Sequence, residues 1–346
     1  MNAVSRSDST GGGGRAAGGP DNSVDNGYLA RRRARRDLTG KHVLITGASS
    51  GIGRAAAVAA AEKGAVLFLL ARRGDELAGV VDEIQAAGGS AFAYQCDVTD
   101  AESVDHTVKT ILDTHGHVDM LVNNAGRSIR RAVHRSTDRM HDFERTMAVN
   151  YFGAVRMTLA LLPQMRERKD GHIVNISSAG VQVATPRFAA YLASKAALDK
   201  FAEVTAAEMR ADNITFTTIH MPLVSTPMIT PSGDQGTSAQ SPEWAAATIV
   251  RALTERPRRI DVPLGTLAEY GTLFAPGVKE RVLHRYYRAI GDSAAAKGEA
   301  PADADTPAAD AETPAPQRRR RPVPPAVRAT GTVLRRAARL VPGTYW

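Results

Sequence analysis

An α/β fold built on one doubly wound parallel sheet is what the sequence predicts, and three observations carry that prediction. Short apolar runs alternate with helical stretches through the middle of the chain, the first of these runs opens directly into a glycine cluster, and the residues with unusual chemistry fall where the runs end. Taken in order, His42–Thr46 is β-rich and is followed by glycines and an Ala-rich helical stretch, Ile52–Lys63. Ala65–Leu70 reads as a second buried strand and Asp75–Ala87 as a helix with a polar face. Ala91–Gln95, Met120–Val122, Ile173–Ile176 and Ile214–Ile219 are further short apolar runs, and helical stretches separate them. Continuous apolar runs of this length are what strands covered on both faces require.

With 346 residues, 43% of them hydrophobic, the chain can bury a real core, which excludes a wholly disordered protein. The single cysteine, Cys96, excludes an internal disulfide framework and a multi-thiolate metal site, and suits a reducing compartment. The longest apolar stretches, Ala55–Ala61 and Ala65–Ala71, are far shorter than the ~20 residues a membrane-spanning helix needs. Met1–Pro20 has polar glycines where a signal peptide has an apolar run, and no apolar segment follows Arg31–Arg36 to make a twin-arginine signal. The expected location is cytoplasmic.

The formal charge of +8 suggests nucleic-acid binding until it is divided along the chain. Residues 1–39 carry +3, residues 293–317 carry −4 and residues 318–346 carry +8, which leaves +1 for residues 40–292. A near-neutral middle, and arginine clusters with no aromatic residues among them, argue against a nucleic-acid partner. Composition draws matching boundaries: a flexible basic tail (1–37), one folded domain (38–292), an acidic Ala/Pro linker (293–317) and a basic amphipathic tail (318–346). Projected as a helix, Val327–Val341 places Arg328, Arg335, Arg336 and Arg339 on one side and its valines and leucines on the other. Such a segment can lie on an anionic membrane surface, or pack against the domain or a second subunit.

The first strand ends in Thr46-Gly47-Ala48-Ser49-Ser50-Gly51-Ile52-Gly53. Gly47 permits a sharp turn, Gly51 lets backbone approach a pyrophosphate, and Gly53 lets the helix pack close to the sheet with its N-terminus facing the anion. Between a strand and a helix, this loop is a dinucleotide-binding signal, and Ser49, Ser50 and Ile52 belong to it. The second strand ends at Arg72-Arg73, where an NAD-selective protein carries a carboxylate for the ribose 2′-hydroxyl. Two guanidinium groups suit a 2′-phosphate instead, so the cofactor expected is NADP(H). Asp75 reads as a possible cap of the next helix.

Three further features stand together: Asn123-Asn124-Ala125-Gly126 after a strand, Asn150 within a long helical stretch, and Ser178 at a strand end, followed thirteen residues later by Tyr191-Leu192-Ala193-Ser194-Lys195. A carbonyl that receives hydride needs a proton donor at its oxygen. Tyrosine is a weak acid, with a reference pKa of about 10, and a lysine one helical turn on should stabilise its phenolate and lower that value. Tyr191 and Lys195 form the chain's one Tyr-x-x-x-Lys.

On these residues the chain resembles the short-chain dehydrogenase/reductase family. The match runs through Thr46–Gly53, Asp97, Asn123–Gly126, Asn150, Ser178, Tyr191 with Lys195, and Pro222–Thr226. Within the family, Asn123–Arg131, His141–Arg156 and Phe216–Met228 look most like the fatty acyl reductase and acyl-chain ketoreductase branch. The resemblance implies a Rossmann-type fold, to which composition adds disordered tails, and an oxidoreductase, NADPH-dependent by its Arg72-Arg73 pair, acting on the carbonyl of an acyl chain or acyl thioester. A general alcohol, sugar or steroid dehydrogenase, and a non-catalytic NADP-binding regulatory module, are the alternatives. It also implies that Ser178 holds the substrate oxygen, that Lys195 holds the nicotinamide ribose, and that Asn150 kinks its helix and anchors a proton-relaying water. Asp97 with Val98 would meet the adenine, although Asp97 also reads as a turn carboxylate. Asn124, Ala125 and Gly126 would line the ribose, while Asn123 could equally tie neighbouring strands together. Pro222, Val224 and Thr226 would reach the carboxamide and phosphate, with Leu223 departing from the usual glycine there. Assembly as a homodimer or homotetramer is implied as well.

Other candidates have plainer readings. His115 and His117 flank Gly116 in a turn with no third ligand nearby, so a metal site is not expected. His172 opens a strand, His220 closes one, and Cys96 reads as core. Arg127, Arg130, Arg131 and Arg135 follow the Asn-Asn-Ala-Gly turn and could attract the phosphates of a carrier thioester, or be solvated loop residues.

Overall fold

In a computed structural model of the chain, the structure describes residues 37–232, 239–292 and 296. The expectations of a flexible N-terminal tail, an acidic linker and an amphipathic helix at Val327–Val341 lie outside the described residues. Seven parallel strands form one sheet in the order β3-β2-β1-β4-β5-β6-β7. They are β1 (His42–Thr46), β2 (Val66–Ala71), β3 (Ser90–Gln95), β4 (Met120–Asn123), β5 (Gly171–Ser178), β6 (Ile214–Met221) and β7 (Arg259–Ile260).

Alternate residues of each strand feed two cores. Val43, Ile45, Leu67, Leu69, Met120, Val122, Val174 and Ile219 face one side. That side is covered by α1 (Gly51–Ala61), α2 (Gly74–Ala86) and α8 (Pro242–Glu255). Leu44, Phe68, Leu70, Leu121, Ile173 and Phe216 face the other, beneath α3 (Ala101–His115), α5 (Ala154–Arg168) and α7 (Ala189–Glu208). Burial on both faces is why the strands read as unbroken apolar runs. Ala56, Ala57 and Ala60 of α1 pack with Ala245, Ala246 and Ala252 of α8, small side chains that let the two helices approach closely.

Ahead of α5 stand α4 (Met140–Met147) and a π-helical turn, Ala148–Gly153. The short α6 (Ala179–Val183) follows β5 and is capped by Ser178, whose Oγ accepts from Gly180 N at 3.1 Å. Two helices close the described chain: α9 (Pro263–Phe274) and α10 (Pro276–Ala289). β5 runs two residues beyond its apolar stretch at each end, because His172 and Ser177 are buried polar residues inside it. Asp75 does not cap α2: position 73 does, and Asp75 lies in the first turn, where its charge suits the helix dipole. The chain reverses direction across the sheet between β1 and β4, so the carboxyl ends of the strands open a crevice there.

Candidate active site

The turn after β1 is built for close approach. Gly47 and Gly51 hold φ of +65° and +55°, which a side chain strains to adopt. A β-carbon on Gly47 would stand 2.8 Å from Ala125 Cα, and one on Gly53 only 2.2 Å from the Gly47 carbonyl oxygen. Ser50 occupies the N-cap of α1 without a side-chain capping bond, so the first-turn N–H groups face the crevice as anion donors. Ser49 and Ile52 are partly exposed beside them. The Thr226 methyl would lie 3.3 Å from a β-carbon at Gly51, which brings the loop after β6 against the glycine turn. A dinucleotide fits these residues.

Thr46, which the sequence reading left without a role, joins β1 to the turn after β4. Its Oγ1 accepts from Asn124 N and Ala125 N, both at 3.0 Å, and donates to Val122 O at 3.3 Å. Asn124 Nδ2 donates to Thr46 O at 2.9 Å and Gly47 O at 3.1 Å. Asn123 does tie strands: its Nδ2 donates to Asn175 Oδ1 at 2.9 Å.

Arg72 and Arg73 end β2 at the same edge, both exposed. Arg73 pairs with Glu76 at 2.8 Å, an exposed i,i+3 contact too weak to withhold it from a ligand. Asp97 Oδ1 accepts from Thr99 N at 2.9 Å and Thr99 Oγ1 at 2.7 Å, so the turn-carboxylate reading describes its contacts here. Val98 is buried under Gly153, where a β-carbon would stand 2.8 Å from its Cγ2.

Ser178, Tyr191 and Lys195 sit together at the carboxyl end of β5. Ser178 is the polar side chain that favours the ionised form of the Tyr191 hydroxyl. Lys195, buried one turn along α7, donates from Nζ to Ile176 O at 2.7 Å. Burial holds the lysine down at about 8, although the Asp199 carboxylate pulls it up. The expected lowering of the Tyr191 pKa is not what this geometry gives: enclosure of its hydroxyl pushes it up, more than Ser178 pulls it down.

Asn150 lies in the π-helical turn and not in a regular helix. Such a turn widens the ladder and re-aims side chains. Nδ2 donates to Arg127 O and to Ser194 Oγ, both at 2.9 Å, and Oδ1 accepts from Arg127 N at 2.8 Å. Asn150 therefore stitches the turn after β4 to α7. A β-carbon on Gly126 would stand 3.2 Å from Asn150 Oδ1 and 3.6 Å from Lys195 Nζ, so the three converge.

Behind Lys195 is a charge cluster that the sequence reading missed. His220 Nδ1 lies 2.6 Å from Asp261 Oδ1, and Nε2 lies 2.9 Å from Asp199 Oδ2. Two carboxylates facing two ring nitrogens require both nitrogens to carry hydrogen, so the ring is an imidazolium; the two acids hold it charged, pushed up to about 9. The only sequence hint was Asp199, spaced four residues after Lys195 just as Lys195 follows Tyr191.

In the loop after β6, Val224 is buried and bridges to Gln240, and Pro222 precedes it on the same edge. Leu223 is not among the residues with positive φ, so its backbone does not need the usual glycine. Three of the four loop arginines hold their own chain: Arg130 donates to Gly291 O at 3.1 Å, Arg131 to Ala296 O at 3.0 Å, and Arg135 pairs with Asp292 at 3.0 Å. His115 and His117 join His42 and Phe68 in a ring cluster, His42 stacking on His117 at 4.3 Å between centroids. His172 bonds Thr215 and Ala252, and Cys96 is buried with its thiol pushed up by that burial. A groove of about 550 Å³ runs beside the site, lined by Val133, Pro186, Leu192 and Tyr287 among others; Ser178, Tyr191 and Lys195 do not line it.

Comparison with known proteins matches a short chain dehydrogenase family model over residues 41–236. An uncharacterized oxidoreductase of Mycobacterium tuberculosis is 48% identical over 265 residues, 75% of this chain and 78% of that protein. A fatty acyl-CoA reductase of Acinetobacter baylyi is 48% identical over 266 residues, 77% of this chain and 90% of that one. Among solved structures, a metagenomic short-chain oxidoreductase in complex with NADP superposes with a TM-score of 0.57 at 29% identity, covering 65% of this chain and 98% of that chain.

Proposed function

The chain belongs to the short-chain dehydrogenase/reductase family, an oxidoreductase family that binds NAD(P), and on that premise we propose that it is an NADPH-dependent reductase of acyl-chain carbonyls. The observation that carries the reductase reading is the convergence of Ser178, Tyr191 and Lys195 beside the glycine turn. The acyl substrate is supported by the Acinetobacter relative's name, and NADP by Arg72 and Arg73 where a carboxylate would select NAD.

The Gly47–Gly53 turn would hold the pyrophosphate with backbone from Ser49, Ser50, Gly51 and Ile52, and Arg72 and Arg73 the 2′-phosphate. Asp97 and Val98 would meet the adenine, Asn124, Ala125 and Gly126 the ribose, Lys195 the nicotinamide ribose, and Pro222, Val224 and Thr226 the carboxamide end. When bound, the dihydronicotinamide supplies a hydride to the carbonyl carbon. Tyr191, its pKa raised, keeps its proton at neutral pH and donates it to the oxygen as negative charge develops there. Ser178, whose Oγ already accepts from Gly180 N, turns its own hydrogen toward that oxygen and stabilises the charge. Lys195, cationic below about pH 8, stabilises the phenolate left behind. The second lone pair of Asn150 Oδ1 is where a relaying water would be held.

For a thioester the reduced carbon carries both O–H and C–S. The O–H proton returns to the Tyr191 phenolate as the carbonyl re-forms, the C–S bond breaks, and the departing thiolate takes a proton from solvent. The products are an aldehyde and a free thiol. The test is NADPH oxidation by the full chain against acyl-CoAs, β-ketoacyl thioesters, steroids and sugars, with NADH in parallel. Turnover confined to acyl substrates supports the reading. Turnover of sugars or steroids alone moves the protein to a general dehydrogenase.

A further inference from the structure

In α9 and α10 the usual direction of burial is inverted. The inward faces are held by polar bonds. Glu269 accepts from Arg259 Nη2 at 2.7 Å and from Gln182 Nε2 at 3.0 Å. Lys279 Nζ donates to Gln182 O at 3.1 Å, and Arg187 donates to Tyr287 O at 3.1 Å and Ile290 O at 2.6 Å. Large apolar side chains lie on the solvent-facing side instead. Leu264, Leu267 and Tyr270 are exposed along α9, and Val278, Val282 and Tyr286 along α10. At the turn between the helices, Leu273 is 73% and Phe274 86% exposed. Glu269 is the one charged residue of α9, and it points inward. Exposed apolar residues gathered in this way mark an interaction surface.

Charge identifies the occupant. At about 100° per residue, Arg281, Arg285 and Arg288 border the Val278–Val282–Tyr286 stripe on one flank, all exposed, with Glu280 and His284 beyond them. Apolar residues rimmed by arginines are the pattern of an interfacial element on an anionic bilayer. We propose that the α9–α10 hairpin docks on an anionic phospholipid surface, inserting Leu273 and Phe274 with Arg281, Arg285 and Arg288 at the headgroups.

A second copy fits this face less well. An antiparallel two-fold pairing would set the arginine rims against each other, and the most exposed residues, Leu273 and Phe274, sit at a turn that a fluid bilayer admits more readily than a matching protein surface. Residues 318–346 of the chain carry eight arginines and no acid, so they too would be repelled by the rim and attracted to the same lipid. Among the described residues no helix is long and apolar enough to cross a membrane, so the hairpin lies in the interface. α9 packs on α6, which Ser178 caps, and Tyr287 of α10 lines the apolar groove beside the site. Delivery of an acyl chain from the bilayer to that groove would rest on the acyl-reductase reading; lipid docking itself does not.

The test is flotation of the purified full chain with vesicles of phosphatidylcholine alone and of phosphatidylcholine with phosphatidylglycerol, without substrate. Strong flotation with the anionic vesicles is expected. A Leu273→Asp/Phe274→Asp variant should lower the bound fraction at least tenfold, and an Arg281→Glu/Arg285→Glu/Arg288→Glu variant should remove the preference for phosphatidylglycerol. Both should keep the wild-type melting temperature, since these side chains are exposed. Phe274→Trp should give a blue-shifted emission on anionic vesicles. Undiminished flotation of the Leu273→Asp/Phe274→Asp variant would overturn the proposal by assigning binding to another part of the chain. So would a lower oligomeric mass of that variant without lipid, which would assign the face to a second copy.

Discussion

Replacing His220 with glutamine removes the cation that bridges Asp199 and Asp261, and the consequence depends on pH in a way the geometry dictates. The imidazolium is held at about 9 against an ordinary 6.5. At about 1.4 kcal/mol per pH unit this is about 3 kcal/mol of linked stability, and with the ring almost wholly buried little is lost to solvent screening. Because the folded value is raised, the stabilisation is fully present below pH 6.5 and is lost as pH rises through 9. Lys195, held down at about 8, titrates with the opposite sign, but it is present in both chains. The melting-temperature gap between wild type and His220→Gln should therefore be wide at pH 6 and narrow by pH 10. With about 2–4 °C per kcal/mol for a domain of this size, the narrowing should be about 6–12 °C. Differential scanning fluorimetry across that range measures it. A gap that stays constant with pH would show that His220 is neutral in the folded protein and refute the argument.

Three further outcomes follow from the same contacts. Gly53→Ala sets a methyl against the Gly47 carbonyl, so calorimetry should show NADPH affinity lost by at least about tenfold, a step of 1.4 kcal/mol, along with a lowered melting temperature. Arg72→Ala with Arg73→Asp should raise the KM for NADPH at least about tenfold while leaving kcat within a few-fold, improving NADH in relative terms. For the reductive direction, kcat/KM should fall as pH rises through about 8, where Lys195 loses its proton; a profile flat to pH 10 would remove the lysine charge from the mechanism.

What could be read from the sequence was what is local. Strands buried on both faces advertise themselves as apolar runs, and β1 was read to the residue. The glycine turn is legible because its constraint, room for backbone, acts on consecutive residues. Tyr191 and Lys195 are legible because one helical turn fixes their relation. What escaped depends on distant elements meeting. β7 is two residues long, too short for any periodicity. The π-helical turn at Asn150 leaves no compositional mark, and the His220 cluster joins β6, α7 and the segment after β7 through residues that look ordinary one by one. α9 and α10 expose their apolar faces, so a pattern that ordinarily reports burial reports a surface there.

The most direct test of the account is a comparison of wild type and Tyr191→Phe in NADPH oxidation with a long-chain acyl-CoA, with NADPH affinity measured on both proteins. The account predicts turnover by wild type, a loss of at least about a hundredfold in the variant through removal of the proton donor, and NADPH affinity unchanged within a few-fold. An equally active Tyr191→Phe protein would contradict it. So would a wild type that binds NADPH tightly and oxidises none.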